Sequence, residues 1–479
     1  MKYLFRAFWV VIFMTKGFLS FCQADSLIAP PSLHDTLPNT PDSALVMIAD
    51  IAIHGDKKTR PYIIERDIPF KQGEYIQMGD LRKKMVTAQQ QLMNSALFNS
   101  ADVYIHTQLG ELVFIGIDLK ERWYLFPLPY FKLVDRNFNQ WWVEQKASLN
   151  RVNYGIKFSQ YNFTGRNDKL NIYLIGGYSR EVYFKYEQPY ANKALTSGFS
   201  FAFDFARQRE LNYGTLVNKQ QFYKQGSFVL QNIRAEVAYL YRPAIKTRHI
   251  VKLAFNQSSV GDTILKLNPN YFPENATKIT YPELSYTLQY YNTDYYPYPN
   301  KGYNADFTLL HRGINKGMNM TQFSFHSMLV KPLTPTVQVQ WQAAGLIKLP
   351  FDQPYYNQQV FGYGDIFLRG LEYYVIDGVA GIMGRTTLRK QVFAAVIRTP
   401  PKIKKQVAIP FKIMVKGFND LGYAYNKNIG SSLLNNKLLY TWGAGIDFVT
   451  TSYDLVFKIE YSFNQLGESG VFIHVRTDF

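Results

Sequence analysis

Residues 197–206 read SGFSFAFDFA, and their alternation decides the fold. Phe199, Phe201, Phe203 and Phe205 fall on one side of an extended chain, with Ser200, Ala202, Asp204 and Ala206 on the other. This is the two-residue period that a β-strand imposes on its side chains. The division recurs in VQVQWQ (337–342), where Val337, Val339 and Trp341 oppose three glutamines. It recurs again in YDLVFKIEYSF (453–463), where Leu455, Phe457, Ile459 and Tyr461 oppose Lys458, Glu460 and Ser462. One face wants hydrocarbon and the other wants water. A soluble sandwich would meet that demand by burying the apolar face, so alternation alone leaves two architectures open.

Export and composition separate them. The chain begins MKYLFRAFWVVIFMTKGFLSFCQA, with Lys2 and Arg6 ahead of an apolar stretch from Ala7 to Phe21 and a small residue at Ala24. This reads as a secretory signal peptide over residues 1–24. A lipidated Cys22 is the alternative, disfavoured because Phe21 is bulky for the position before it. Cys22 is the only cysteine, so the mature chain is expected to have no disulfide, thiolate metal site or cysteine nucleophile. No later segment offers the roughly 18 to 20 consecutive apolar residues of a membrane-spanning helix. With 36 Tyr and 36 Phe among 479 residues, the aromatic load suits the interfacial girdles of a transmembrane antiparallel β-barrel. Residues 126–479, at about 22 per strand with its turn, allow about sixteen tilted strands. The net charge of +17 is scattered along strands and loops. It forms no basic helical stripe, which argues against nucleic acid as a partner.

Ahead of the barrel, residues 25–44 (DSLIAPPSLHDTLPNTPDSA) read as a flexible lead-in, and residues 45–125 as a small α+β unit. LVMIADIAIHG is a strand ending at Gly55, and RPYIIERDI a short helix with Pro61 in its first turn. GDLRKKMVTAQQQLMNSALF is a longer helix with Asp80 as its cap and Leu81, Met85, Ala88, Leu92 and Ala96 on one face. ADVYIHT and ELVFIGIDL are two strands around Gly110.

Several motifs lie along this frame: IAIHGDKKTRPYIIERDIPFKQGEYI followed by NSALFNSADVYIH in the α+β unit, and YNFTGRNDKL (161–170) with Asn162 and Gly165. DYYPYPNKGYNADF (294–307) carries Pro299, Lys301 and Gly302, and GYGDIFLRGLEYY (362–374) carries Gly362, Gly364, Leu368, Arg369 and Gly370. IMVKGFNDLGYAY (413–425) carries Phe418, Asp420 and Gly422. The chain closes on VFIHVRTDF, with Val471, Ile473, Val475 and Thr477 in phase and a terminal aromatic at Phe479. Together these resemble the BamA/TamA superfamily (bacterial surface antigen type) of outer-membrane assembly and translocation barrels, with one POTRA domain. FLRGLE is similar to that family's Arg-Gly loop tip, with Leu371 where an aromatic residue is usual. The resemblance implies that the loop folds back into the lumen and inserts Arg369, for which Asp420 is the candidate partner by strand phase. The family often has a glutamate in the strand after the loop. Here IMGRTTLRKQV (382–392) offers Arg385 and Arg389, so a different anchor and repulsion between arginines are expected.

The resemblance further implies insertion or export of client proteins without ATP, at the outer membrane of a Gram-negative bacterium, with the POTRA domain in the periplasm. A client strand would add to the POTRA edge at ADVYIHT. A seam between a first strand near 148–160 and the last at 471–479 would open toward it. Implied partners are extended client polypeptides and outer-membrane lipid, with periplasmic chaperones or lipoprotein subunits as further candidates. No cofactor or metal is implied. A passive porin with a periplasmic appendage, or a lipid-transport barrel, are the alternatives. An enzyme is disfavoured: the sequence holds neither a G-x-S-x-G turn nor an H-E-x-x-H pair, and lumen carboxylates such as Asp204 and Glu460 are expected to be solvated.

Overall fold

The computed structural model describes residues 40–133, 151–315, 317–364, 366–398, 408–450 and 455–476. The expected signal peptide, most of the lead-in, Thr477 and Phe479 lie outside them. The small unit runs β1 (Leu45–His54), α1 (Pro61–Arg66), β2 (Tyr75–Gln77), α2 (Met78–Asn94), β3 (Phe98–Leu109) and β4 (Leu112–Glu121). Its sheet has the order β2-β1-β4-β3, with β1 parallel to β4 and the other two pairs antiparallel. Ile63 and Ile64 of α1 and Leu81, Met85, Ala88 and Leu92 of α2 close its core over Val46, Ile48, Val113, Ile115 and Ile117.

Two helix-end expectations are corrected. Asp80 sits inside the first turn of α2, which has no side-chain cap. The strand β2 runs straight into the helix, and the orphan donors Met78 N and Gly79 N are met by Ala44 O and Asp42 O at 2.9 Å each, so backbone carbonyls take over part of a capping side chain's role. Ala96 lies beyond the helix, exposed, with φ 59°.

Only Arg122–Tyr124 separate β4 from a sheet of sixteen antiparallel strands, paired in chain order from Leu125–Leu133 to Ser469–Arg476. The expected first strand is thus the second, Val152–Tyr161. LFPLPYFKL holds two prolines, which hide a strand from a period-based reading and mark it as an edge. Phe199, Phe201, Phe203, Leu253, Phe255, Trp341, Val471, Ile473 and Val475 are exposed, while Ser200, Asn256, Glu283, Lys416, Asp420, Glu460 and Ser462 are buried. An apolar outside around a polar inside inverts a soluble protein. It is what a barrel in lipid requires, since every backbone group must pair within the sheet while the outer side chains meet hydrocarbon. No described helix is long and apolar enough to cross a membrane.

The small domain docks on one rim, against turns that join consecutive strands. Arg60 N donates to Gly165 O at 2.9 Å, and Asn162 Nδ2 to Thr59 Oγ1 at 2.9 Å. A side chain at Gly165 would stand 2.3 Å from Lys58 O, so this turn admits the domain only with glycine there. Farther round, Arg66 Nε donates to Leu195 O at 2.7 Å, and Arg242 pairs with Asp67 at 3.4 Å. Asn94, at the end of α2, donates to Thr293 O at 3.1 Å and accepts from Tyr296 N at 3.0 Å.

Candidate functional site

The connection between the eleventh strand (Val337–Leu349) and the twelfth (Ala380–Arg398) lies at the rim opposite the domain and folds into the barrel. Its two walls approach closely at Gly362, whose φ is +83° and whose Cβ would meet Tyr374 O at 2.3 Å. Gly370 turns the tip with φ +88°, and its carbonyl accepts from Asn464 Nδ2 at 2.8 Å. Gly364 has nothing within 4 Å of its Cβ position, so the structure gives no reason for glycine there. Leu368 and Leu371 seat the loop among Val360, Phe361, Ile376, Met383, Ala424 and Leu439. That apolar buttress explains the two bulky residues flanking the Arg-Gly pair.

The guanidinium of Arg369 reaches Asp420 on the thirteenth strand (Ala408–Tyr425): Nε stands 3.1 Å from both carboxylate oxygens and Nη2 2.5 Å from Oδ1. The backbone N of Arg369 donates to Oδ2 at 2.9 Å and its Nη1 to Thr387 Oγ1 at 3.1 Å. The ring of Phe418 lies 3.9 Å beneath the guanidinium, a cation–π contact in a dry site. Gly422 leaves room for Leu368, whose Cδ2 would stand 3.0 Å from a Cβ there. Each of the three residues singled out in FNDLG therefore meets the loop.

The two guanidiniums of Arg385 and Arg369 lie close together, and their expected repulsion is offset by a carboxylate that both share. Asp420, fully buried between them, takes Arg385 Nε at 3.3 Å, and Arg385 also donates to Phe367 O. Glu460, on the fifteenth strand (Val456–Asn464), is not solvated. It is 2% exposed, 2.5 Å from Lys416 Nζ and 3.8 Å from Arg369 Nη1. Lys416 also holds Asp447 of the fourteenth strand (Leu438–Thr450) at 2.6 Å. Sequence reading placed Glu460 on the lumen face but missed its pairing with Lys416, because partners on different strands leave no spacing signal.

Pro299, Lys301 and Gly302 stand apart from the loop, in the turn between the eighth (Lys278–Thr293) and ninth (Gly302–Asn315) strands. Lys301 is exposed. Gly302 has φ +114° with Asn292 O 2.1 Å from its Cβ position. The turn crosses the lumen: Tyr298, missed in the sequence, donates to Asp447 Oδ2 at 2.8 Å, and Arg389 lies 4.2 Å over its ring while donating to Pro299 O.

Two edges complete the geometry. Among the described residues no ladder joins the first barrel strand to the last (Ser469–Arg476). Tyr161 N donates to Tyr124 O at 2.8 Å, which sets the phase of the first two strands. Pro127 and Pro129 then fall at the non-bonded pairs with Phe158 and Ile156, so their missing N–H groups are absent from the other, seam-facing edge. In the small domain β3 is an edge strand with register shifts near Asn99 and His106, leaving a regular stretch from Ser100 to Ile105 between two irregularities.

No protein-family model matches the chain, and no curated protein matches it in sequence. Among solved structures, BamA from Haemophilus ducreyi lacking POTRA domains 1–3 aligns over 90% of this chain and 83% of its own, with TM-score 0.49 and 13% identity. CdiB from Acinetobacter baumannii aligns over 90% and 74%, with TM-score 0.46 and 14% identity. CdiB from Escherichia coli aligns over 90% and 76%, with TM-score 0.52 and 11% identity. In fold, across most of its length, the chain is similar to E. coli CdiB.

Proposed function

We propose that this chain is an outer-membrane factor of the BamA/TamA type that assembles or translocates client polypeptides without ATP, its small domain acting as a periplasmic POTRA domain. The observation that carries this reading is the loop tip held inside a sixteen-stranded barrel by Arg369 on Asp420, beside a seam whose first strand lacks two donors. A client strand would pair first along Ser100–Ile105 of β3, where backbone groups lie at a sheet edge, and then at the seam. The likeness of fold to E. coli CdiB supports the architecture this requires. A passive pore accounts less well for a lumen crossed by one buried turn and one buried loop. Lowering the level of the protein in its host and quantifying the outer-membrane proteome tests the proposal. Loss of one or a few surface proteins, or of many barrels, is the expected result. An unchanged proteome would overturn it.

A further inference from the structure

Behind the tip of the inserted loop, three side chains from separate parts of the chain converge on the last strand. His474 Nε2 stands 3.5 Å from Glu372 Oε1 of the loop and 3.4 Å from Glu460 Oε2 of the fifteenth strand. One ligand atom from each lies within 4.8 Å of the others. Hydrogen bonds between nitrogen and oxygen run about 2.7 to 3.2 Å, and neither Glu372 Oε1 nor His474 Nε2 has a hydrogen-bond partner although both atoms are buried. Donors bound tetrahedrally to a zinc ion at about 2.0 to 2.2 Å stand roughly 3.3 to 3.6 Å apart. The two imidazole–carboxylate separations have that spacing.

We propose that Glu372, Glu460 and His474 form a binding site for one divalent transition-metal ion, of which Zn²⁺ is the type. One imidazole and two carboxylates are a donor set such ions accept, with a fourth position left for water. The remaining atoms of the ligands are already held, as outer contacts of metal ligands usually are. Glu372 Oε2 accepts from Gly370 N at 2.6 Å, and Glu460 Oε1 faces Lys416 Nζ at 2.5 Å. The ring of Phe367 stacks on the imidazole with centroids 5.5 Å apart, which fixes its plane. The side chain of His474 keeps 29% of its surface exposed, so the site lies near the solvent-accessible surface while Nε2 itself is buried. Lys416 at 2.5 Å and Arg369 at 3.8 Å from Glu460, together with Lys458 opposite His474 in the ladder, are cations that compete with the ion for these carboxylates. Once bound, the ion ties the loop to the strand that borders the seam. The site stands whether or not the barrel handles polypeptide clients.

The test uses untagged full-length protein, treated with chelator and titrated with Co²⁺, whose visible absorption reports tetrahedral binding, with Zn²⁺ as competitor in calorimetry. Expected are one ion per chain at neutral pH and weaker binding in acid, where protons compete with a metal for its ligands. His474→Ala and Glu372→Gln should each weaken binding by more than the roughly 10- to 100-fold that loss of an outer contact costs. Heat-modifiable migration in gels checks that each variant is folded, and His474→Gln serves if His474→Ala is not. Zn²⁺ should also slow hydrogen exchange of residues 367–374 in the parent chain. Absence of saturable binding, as expected if His474 is simply an imidazolium paired with the carboxylates, overturns the proposal. So does binding that survives both substitutions.

Discussion

Removing either end of the Arg369–Asp420 pair should loosen the loop, and the structure predicts which end matters more. Breaking a buried ion pair by deleting one partner costs about 3 to 5 kcal/mol, because the survivor is left desolvated. In Arg369→Ala the survivor is Asp420, which keeps Arg385 at 3.3 Å, so the cost belongs at the lower end, about 3 kcal/mol. In Asp420→Ala the survivors are two guanidiniums. Arg369 keeps Thr387 at 3.1 Å and Glu460 at 3.8 Å, Arg385 keeps a carbonyl, and the two now repel, so the cost belongs near 5 kcal/mol. At about 1.4 kcal/mol per decade, the opening equilibrium of the loop should rise roughly 150-fold for Arg369→Ala and a few thousandfold for Asp420→Ala. Leu368 and Leu371 remain seated in both, so the loop opens more often without being displaced. Hydrogen–deuterium exchange of peptides spanning 366–374, in lipid nanodiscs and with the barrel strands as internal reference, reads the effect. Faster exchange in Arg369→Ala than in Asp420→Ala, or both within about threefold of the parent, would refute the reasoning.

Two further outcomes are expected. Replacing Pro127 and Pro129 by Ala restores two donors to the seam edge of the first strand. At about 0.5 to 1.5 kcal/mol per bond this should strengthen pairing with the last strand, slow exchange of 125–133 and 469–476 and, on the proposed function, reduce client assembly; unchanged exchange would mean that these donors face elsewhere. Tyr298→Phe removes the 2.8 Å bond to Asp447 that holds the 294–301 turn across the lumen. Single-channel conductance in planar bilayers should rise, and an unaltered value would place the constriction elsewhere.

The barrel was legible in the sequence because lipid and lumen impose opposite demands on alternate residues, and Phe199–Phe205 or Leu455–Tyr461 obey them over several periods. The position of Asp420 on the lumen face followed from the same phase. What stayed hidden arises between elements distant in the chain. Arg385 was expected to repel Arg369, since only the cross-strand pairing of Arg385 with Asp420 reveals the carboxylate that both share. Glu460 was expected in water because its partner Lys416 is two strands away in the ladder. The first barrel strand was missed for a physical reason that is itself informative: Pro127 and Pro129 are tolerated only where one side of a strand goes without donors.

These hidden contacts form one contiguous chain of contacts across the molecule. Asn94 of the small domain grips the backbone at Thr293 and Tyr296, and two residues on, Tyr298 reaches Asp447. Asp447 leads through Lys416 to Glu460 and on to Arg369, so the domain at one rim connects to the loop tip through buried polar contacts. The route is asymmetric. The domain grips turns among the second to ninth strands, whereas the charges along this route brace the twelfth to fifteenth from within. The unladdered edge then lies between a first strand adjoining the docked half and a last strand adjoining the braced half. On the proposed function, a client strand added to β3 would load the docked half while the Arg369 network resisted movement of the other, and the edge short of donors would then be where parting the two halves breaks the fewest bonds.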